Sequence, residues 1–106
     1  MKELSLKPYT GRLYFADTRK KYEAWHKKIF GNADPLNITQ AGRFAGGGDS
    51  EGRVSYLVWG QDTSSIVHEL SHVVLDVFER SGIDPRGCNG EPFCYLLGQL
   101  VTEARV

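Results

Sequence analysis

The sequence predicts an α+β domain: a small antiparallel or mixed sheet with about three helices, in the order β-α-β-β-α-α. Three observations lead there. The chain has 106 residues, 41% of them hydrophobic, which suits one domain around one modest core, so residues 1–106 are read as a single unit. Apolar residues recur at helical spacing in separate segments. A glycine-rich loop joins two strand-prone runs in the middle of the chain.

Leu13 to Ala16 reads as a short strand. Asp17 or Thr18 then caps a helix whose Tyr22, Trp25 and Ile29 face a core before Gly31 ends it. Lys20, Lys21, Lys27 and Lys28 fall on its water-facing side, and His26 on this helix is assigned no role. Ile38 to Ala45 and Arg53 to Trp59 are predicted to pair as a hairpin around Gly46-Gly47-Gly48-Asp49-Ser50-Glu51-Gly52. That loop is no phosphate cradle, because Gly-Lys-Ser/Thr would have to close it and Arg53 follows instead. Ile66, Val67, Leu70, Val73, Val74, Val77 and Phe78 mark the second helix, with Asp62 or Thr63 as cap and Gly82 as stop. Turn residues fill Ser81 to Gly90, and Asn89 near the end of that stretch can cap a third helix with Pro92 in its first turn. The helices are expected on one face of the sheet.

Charge is balanced, with 13 basic and 13 acidic side chains, which argues neither for a nucleic-acid partner nor for an acidic substrate, and a nucleic-acid partner is not expected. Residues 1 to 28 carry eight Lys or Arg against three acids, and the remainder five against ten. A basic first helix resting on an acidic body is the expected consequence. Met1 to Thr10 is polar and contains Pro8, unlike a secretory leader, and no apolar run reaches membrane-spanning length. A soluble cytoplasmic protein with no membrane partner is expected.

Two of the three histidines fall in His68-Glu69-Leu70-Ser71-His72, the H-E-x-x-H pattern, inside the second predicted helix. Four residues is little more than one helical turn, so both imidazoles leave the same face and can share one metal ion. Glu69 sits beside them, where a carboxylate reaches a metal-bound water as general base.

Two imidazoles leave a catalytic zinc shell one protein ligand short. The extended H-E-x-x-H-x-x-G-x-x-H pattern is excluded, because positions 75 and 78 are Leu75 and Phe78. Glu91, at the start of the third helix, is the natural downstream donor. Cys88, Cys94 and Asp76 are the other candidates. Cys94 reads as a core residue, Cys88 as a ligand in a latent state or a partner for Cys94, and Asp76 as a solvated residue or a hydrogen-bond partner for a ligand's second nitrogen.

Over roughly Tyr56 to Leu100 the chain resembles the gluzincins, zinc peptidases whose third ligand is a glutamate on the helix after H-E-x-x-H. It looks most like their smallest versions, the minigluzincins and the short proteins of this pattern encoded by phages, with Glu91-Pro92-Phe93-Cys94-Tyr95 matching a Glu-x-x-x-Tyr helix. The resemblance implies a minimal zincin-like domain, Zn2+ held by His68, His72 and Glu91, Glu69 as base, and a phage-encoded protein in a bacterial host. Many larger gluzincins place an aspartate where this chain has Tyr95.

The expected function is therefore a zinc metalloendopeptidase acting on a peptide or protein substrate. Tyr95, Tyr56 and Arg86 are the candidate oxyanion or substrate donors. Val54 to Trp59 precedes the zinc helix, so one of its edges is expected beside the cleft, open to an extended peptide. The segment Thr102 to Val106 is the chain's own candidate for covering that cleft. Two other classes compete: a catalytically silent zinc-stabilised binding or inhibitor protein, in which Cys88 or Cys94 closes the shell, and a nucleic-acid-associated protein using Arg19 to Lys28.

Overall fold

The computed structural model describes Met1 to Arg105 and contains β1 (Lys2–Leu4), β2 (Arg12–Ala16), α1 (Arg19–Phe30), β3 (Gly42–Gly48), β4 (Val54–Gly60), α2 (Thr63–Arg80) and α3 (Glu91–Arg105). A single 3-10 turn, Gly87–Gly90, leads into α3. The four strands form one mixed sheet in the order β1-β2-β4-β3. β2 and β4 are parallel, with Leu13 opposite Tyr56 and Phe15 opposite Val58, and the two outer pairings are antiparallel.

Alternation along the central strands sorts the helices. Leu13, Phe15, Tyr56 and Val58 point to one face, where Leu70, Val73, Val74, Val77 and Phe78 of α2 and Leu96, Leu100 and Ala104 of α3 complete the larger core. Ala16, Leu57 and Trp59 point to the other face and bury Tyr22 and Ile29 of α1. The helices thus cover both faces, not one: a strand buried on both sides needs a helix on each. β4 shows why in its own sequence, since Ser55 to Gly60 are all buried and no residue of that run is spared for water.

Each helix end has a local cause. Thr18 accepts from the Lys21 amide and starts α1, and Gly31, in the left-handed region at φ 84°, ends it with its N–H on the Lys27 carbonyl. Asp62 accepts from the Ser65 amide at 2.8 Å and starts α2. At the other end Ile83 donates to Phe78 (2.9 Å) and Gly82 to Glu79 (3.2 Å), a Schellman closure with Gly82 at φ 70°. Ile83 then packs on the core, so the chain turns sharply and α3 runs back along α2.

Several boundaries differ from the sequence expectation. β1 was not anticipated: Lys2 and Glu3 are exposed, and only Leu4 is buried in the strand, too short a run for a periodic signal. The expected strand Ile38 to Ala45 begins instead at Gly42, and Ile38 is 88% exposed. The segment before it is held as a loop by Arg19, which donates to the carbonyls of Asn37, Ile38 and Gln40 while its guanidinium lies over the Trp59 ring. Asn89 does not cap α3, since it lies within the 3-10 turn in the left-handed region at φ 57°. Of the four water-facing lysines on α1, Lys21 pairs with Asp17 at 3.0 Å, a partner on the approach to the same helix. Apolar burial against Leu57 and Trp59 holds this helix down, and no acidic body beneath it is needed. No helix among the described residues is long and apolar enough to cross a membrane.

Candidate metal centre

α2 carries His68, Glu69 and His72 on the flank that faces β3. Leu70, Val73, Val74 and Val77 on its other side are buried, which fixes the rotation of the helix and leaves both histidines exposed. The two Nε2 atoms lie 3.3 Å apart. Two nitrogens bound at 2.0–2.1 Å to one tetrahedral ion lie about 3.3–3.4 Å apart, so the pair already has the separation of a shared ligand set.

Glu69 stands differently. Its side chain is only 12% exposed, against 68% for His68, and its Oε2 lies 4.0 Å from His68 Nε2. For both atoms to bind one ion, the angle between the bonds would have to open to roughly 150°, far from tetrahedral. A carboxylate at that distance leaves space for a water between itself and an ion on the histidines, the place a general base occupies.

Two residues of β3 that the sequence reading passed over shape this site. The Phe44 ring stacks on the His72 imidazole, centroids 5.6 Å apart and planes 24° from parallel, and on Tyr56 at 6.0 Å. Gly42 gives Glu69 its room: a Cβ there would sit 3.0 Å from Glu69 Cγ, Glu69 Oε2 and the Trp59 carbonyl. Period two places Gly42, Phe44 and Gly46 on one face of the strand, but that this face meets the histidines of α2 is a matter of tertiary packing.

Among the described residues, the donor group whose ligand atoms lie within 4.8 Å of one another is His68, Glu69 and His72. Glu91 is not in it, contrary to the expected third ligand. The geometry of α3 is the reason. Phe93, two residues after Glu91, packs edge-on against Phe78 with centroids 6.1 Å apart. Phe78 lies ten residues beyond His68 and six beyond His72, roughly 15 and 9 Å along the helix axis. α3 also flanks α2 on the β1 side, where Gln99 donates to the Ser5 carbonyl, whereas the histidines face β3. Glu91 is thus at the wrong end and on the wrong flank.

The other candidates have ordinary work elsewhere. Asp76 neither orients a histidine nor stands alone: it accepts from the Tyr56 hydroxyl at 2.6 Å and pairs with Arg80 at 3.3 Å. Tyr56 is buried, its hydroxyl also accepts from Arg80, and burial together with the Asp76 carboxylate pushes its pKa up to about 12. A phenol so engaged is no free oxyanion donor. Tyr95 is 76% exposed in a groove with Lys7, Pro8, Tyr9 and Gln99, on the far side of α3. Arg86 is exposed in the turn after α2 and pairs with Asp84 at 3.5 Å. Cys88 and Cys94 are both free and exposed, so Cys94 is not a core residue and neither thiol reaches the histidines. β4, expected to offer an edge to the cleft, is interior, paired with β2 and β3; the edge beside the histidines is β3. Thr102 to Arg105 form the last turn of α3, and Val106 lies outside the described residues.

His26, given no role, has a structural one. It is buried, its Nδ1 lies 2.7 Å from the Asn32 carbonyl, and its Nε2 lies 4.0 Å from Asp34. Asp34 accepts from the Tyr22 hydroxyl at 2.7 Å and from Arg43 at 3.0 Å, tying α1, the following loop and β3 together.

Comparison with known proteins gave no match to a family model, a curated protein or a solved structure. The class defined by fold and site is therefore an α+β protein with an exposed dihistidine and a shielded glutamate beside an open sheet edge.

Proposed function

We propose that this chain is a zinc-dependent peptidase of the zincin type, with His68 and His72 as ligands and Glu69 as general base. The observation that carries the reading is the 3.3 Å separation of the two imidazole nitrogens, set against the 4.0 Å that keeps Glu69 outside the same shell. When bound, the ion supplies a water of lowered pKa and polarisation of the scissile carbonyl. Glu69 would be the residue to accept that water's proton and return it to the leaving amine, a role suited to a carboxylate screened from bulk water by Gly42 and β3.

β3 supports a peptide as substrate. It is an edge strand with one side of its backbone unpaired, and it carries Phe44, which touches the ligand His72. An extended chain added along this edge gains main-chain hydrogen bonds and runs past the dihistidine. Gly46, Gly47 and Gly48 are exposed and place no side chain in its way.

The test separates metal from chemistry. Glu69→Gln should keep zinc affinity and lose turnover of a quenched-fluorescent peptide library, while His72→Ala should lose zinc affinity. Full peptidase activity in Glu69→Gln refutes the base, and unchanged zinc affinity in His72→Ala refutes the site.

A further inference from the structure

A tetrahedral ion takes four donors, and the described residues of this chain bring two to it. His68 and His72 supply the nitrogens, Glu69 stands at the distance of a base, and Glu91, Cys88 and Cys94 lie outside the donor group. Two positions of the shell must therefore be filled from beyond the chain. Water and substrate fill them during turnover. A second copy of the chain offers the same two imidazoles, and a two-fold axis through the ion would present them in the right number.

We infer that two copies share one zinc-class ion through His68 and His72 of each, giving a closed four-imidazole shell as a latent form of the enzyme. The inference rests on the metal-site reading above and adds its regulation. The face is suited to it. His68 is 68% exposed, His72 is exposed, and Leu75, on the same helical stripe three residues beyond His72, is 46% exposed although it is a large apolar side chain. A symmetric contact would bring the two Leu75 side chains close to the axis and cover them. A shell of four imidazoles has no place for water, so the ion in this form is structural and silent. Excess ion gives every chain its own, and the open monomer returns.

This predicts a response that rises and then falls. Zinc sulfate is titrated into metal-free full-length protein, with sedimentation equilibrium for mass and native mass spectrometry for stoichiometry. At half an equivalent the mass should double from 11.9 kDa with one zinc per two chains, and several equivalents should restore the monomer with one zinc each. His72→Ala should stay monomeric throughout. Leu75→Glu should shift the dimer to at least tenfold higher protein concentration while one zinc per chain still binds in excess. A monomer carrying zinc at every ratio overturns the shared ion and leaves the peptidase reading standing. A dimer that survives chelator, or forms in His72→Ala, overturns it equally. Absence of zinc binding removes both readings together.

Discussion

Gly42→Ala tests the site through a residue that donates nothing to it. The added Cβ would lie 3.0 Å from Glu69 Cγ, Glu69 Oε2 and the Trp59 carbonyl, closer than ordinary van der Waals contact, so a few tenths of an ångström must be absorbed. Trp59 belongs to β4, and the neighbouring Gly42 to Gly60 pairing holds its backbone in register, so it yields least. The Glu69 side chain must move, away from β3 and away from the place where it meets the water. If a 1 Å misplacement of a group acting in the chemical step costs about 10²-fold in rate, a few tenths of an ångström should cost about fivefold, or roughly 1 kcal/mol. Overpacking should cost about 1–3 kcal/mol of stability, toward the lower end because a side chain gives way. The histidine nitrogens are untouched, so zinc affinity should hold. The assay pairs competition against a chromophoric chelator with turnover of a fluorogenic peptide, and Gly98→Ala on α3 is the control, since nothing lies within 4 Å of a Cβ there and the residue is remote from β3. Equal activity in both variants, or parallel loss of zinc and turnover in Gly42→Ala, would refute the placement of Glu69.

Glu91→Ala should leave zinc affinity within twofold of the parent, in contrast to His72→Ala, and a loss of tenfold or more in a chelator competition would restore Glu91 as a ligand. Tyr56→Phe should flatten the alkaline limb of stability. The folded-state pKa near 12 lies above the ordinary value near 10, so the parent loses stability as pH rises from about 10 through 12, and melting temperatures across pH 9–12 should fall less steeply in the variant. At the acid end, Asp62 is held below the ordinary carboxylate range by the Ser65 amide, and Asp49 by the Arg53 amide and the Ser55 hydroxyl. Their contribution is complete above about pH 4 and should fade as pH falls below it, more weakly in Asp62→Asn than in the parent.

Where the fold was legible, a short stretch of chain carried the whole cause. Thr18, Gly31, Asp62 and Gly82 punctuate the helices where their chemistry says they should, because caps and left-handed stops are decided within a few residues. The two-sided burial of the sheet was written in Ser55 to Gly60, yet it became readable only once α1 was known to return across the other face. β1 had no local signal, because its three residues are stabilised by pairing with Phe15, Tyr14 and Leu13 far along the chain. Ile38 looks strand-prone, but Arg19 takes the carbonyls of Asn37 and Ile38, and a long-range hydrogen bond outvotes propensity.

The site divides along the same line. His68, Glu69 and His72 are one helical turn, so their common face follows from the sequence alone. Glu91 depended on the direction and flank of a second helix, which no spacing encodes. Counting residues from His72 to Glu91 measures chain length, while coordination requires closeness in space. Schellman closure at Gly82 sends α3 back along α2, and Phe93 meeting Phe78 then fixes Glu91 beyond the end of the histidine face. The flank was settled by the sheet order, because β3 rather than β1 borders the histidines. Where the helix packing keeps Glu91 away from the histidines, the sheet edge meets them: Gly42 admits the Glu69 side chain, Phe44 stacks on His72, and the unpaired backbone of β3 is left open beside both.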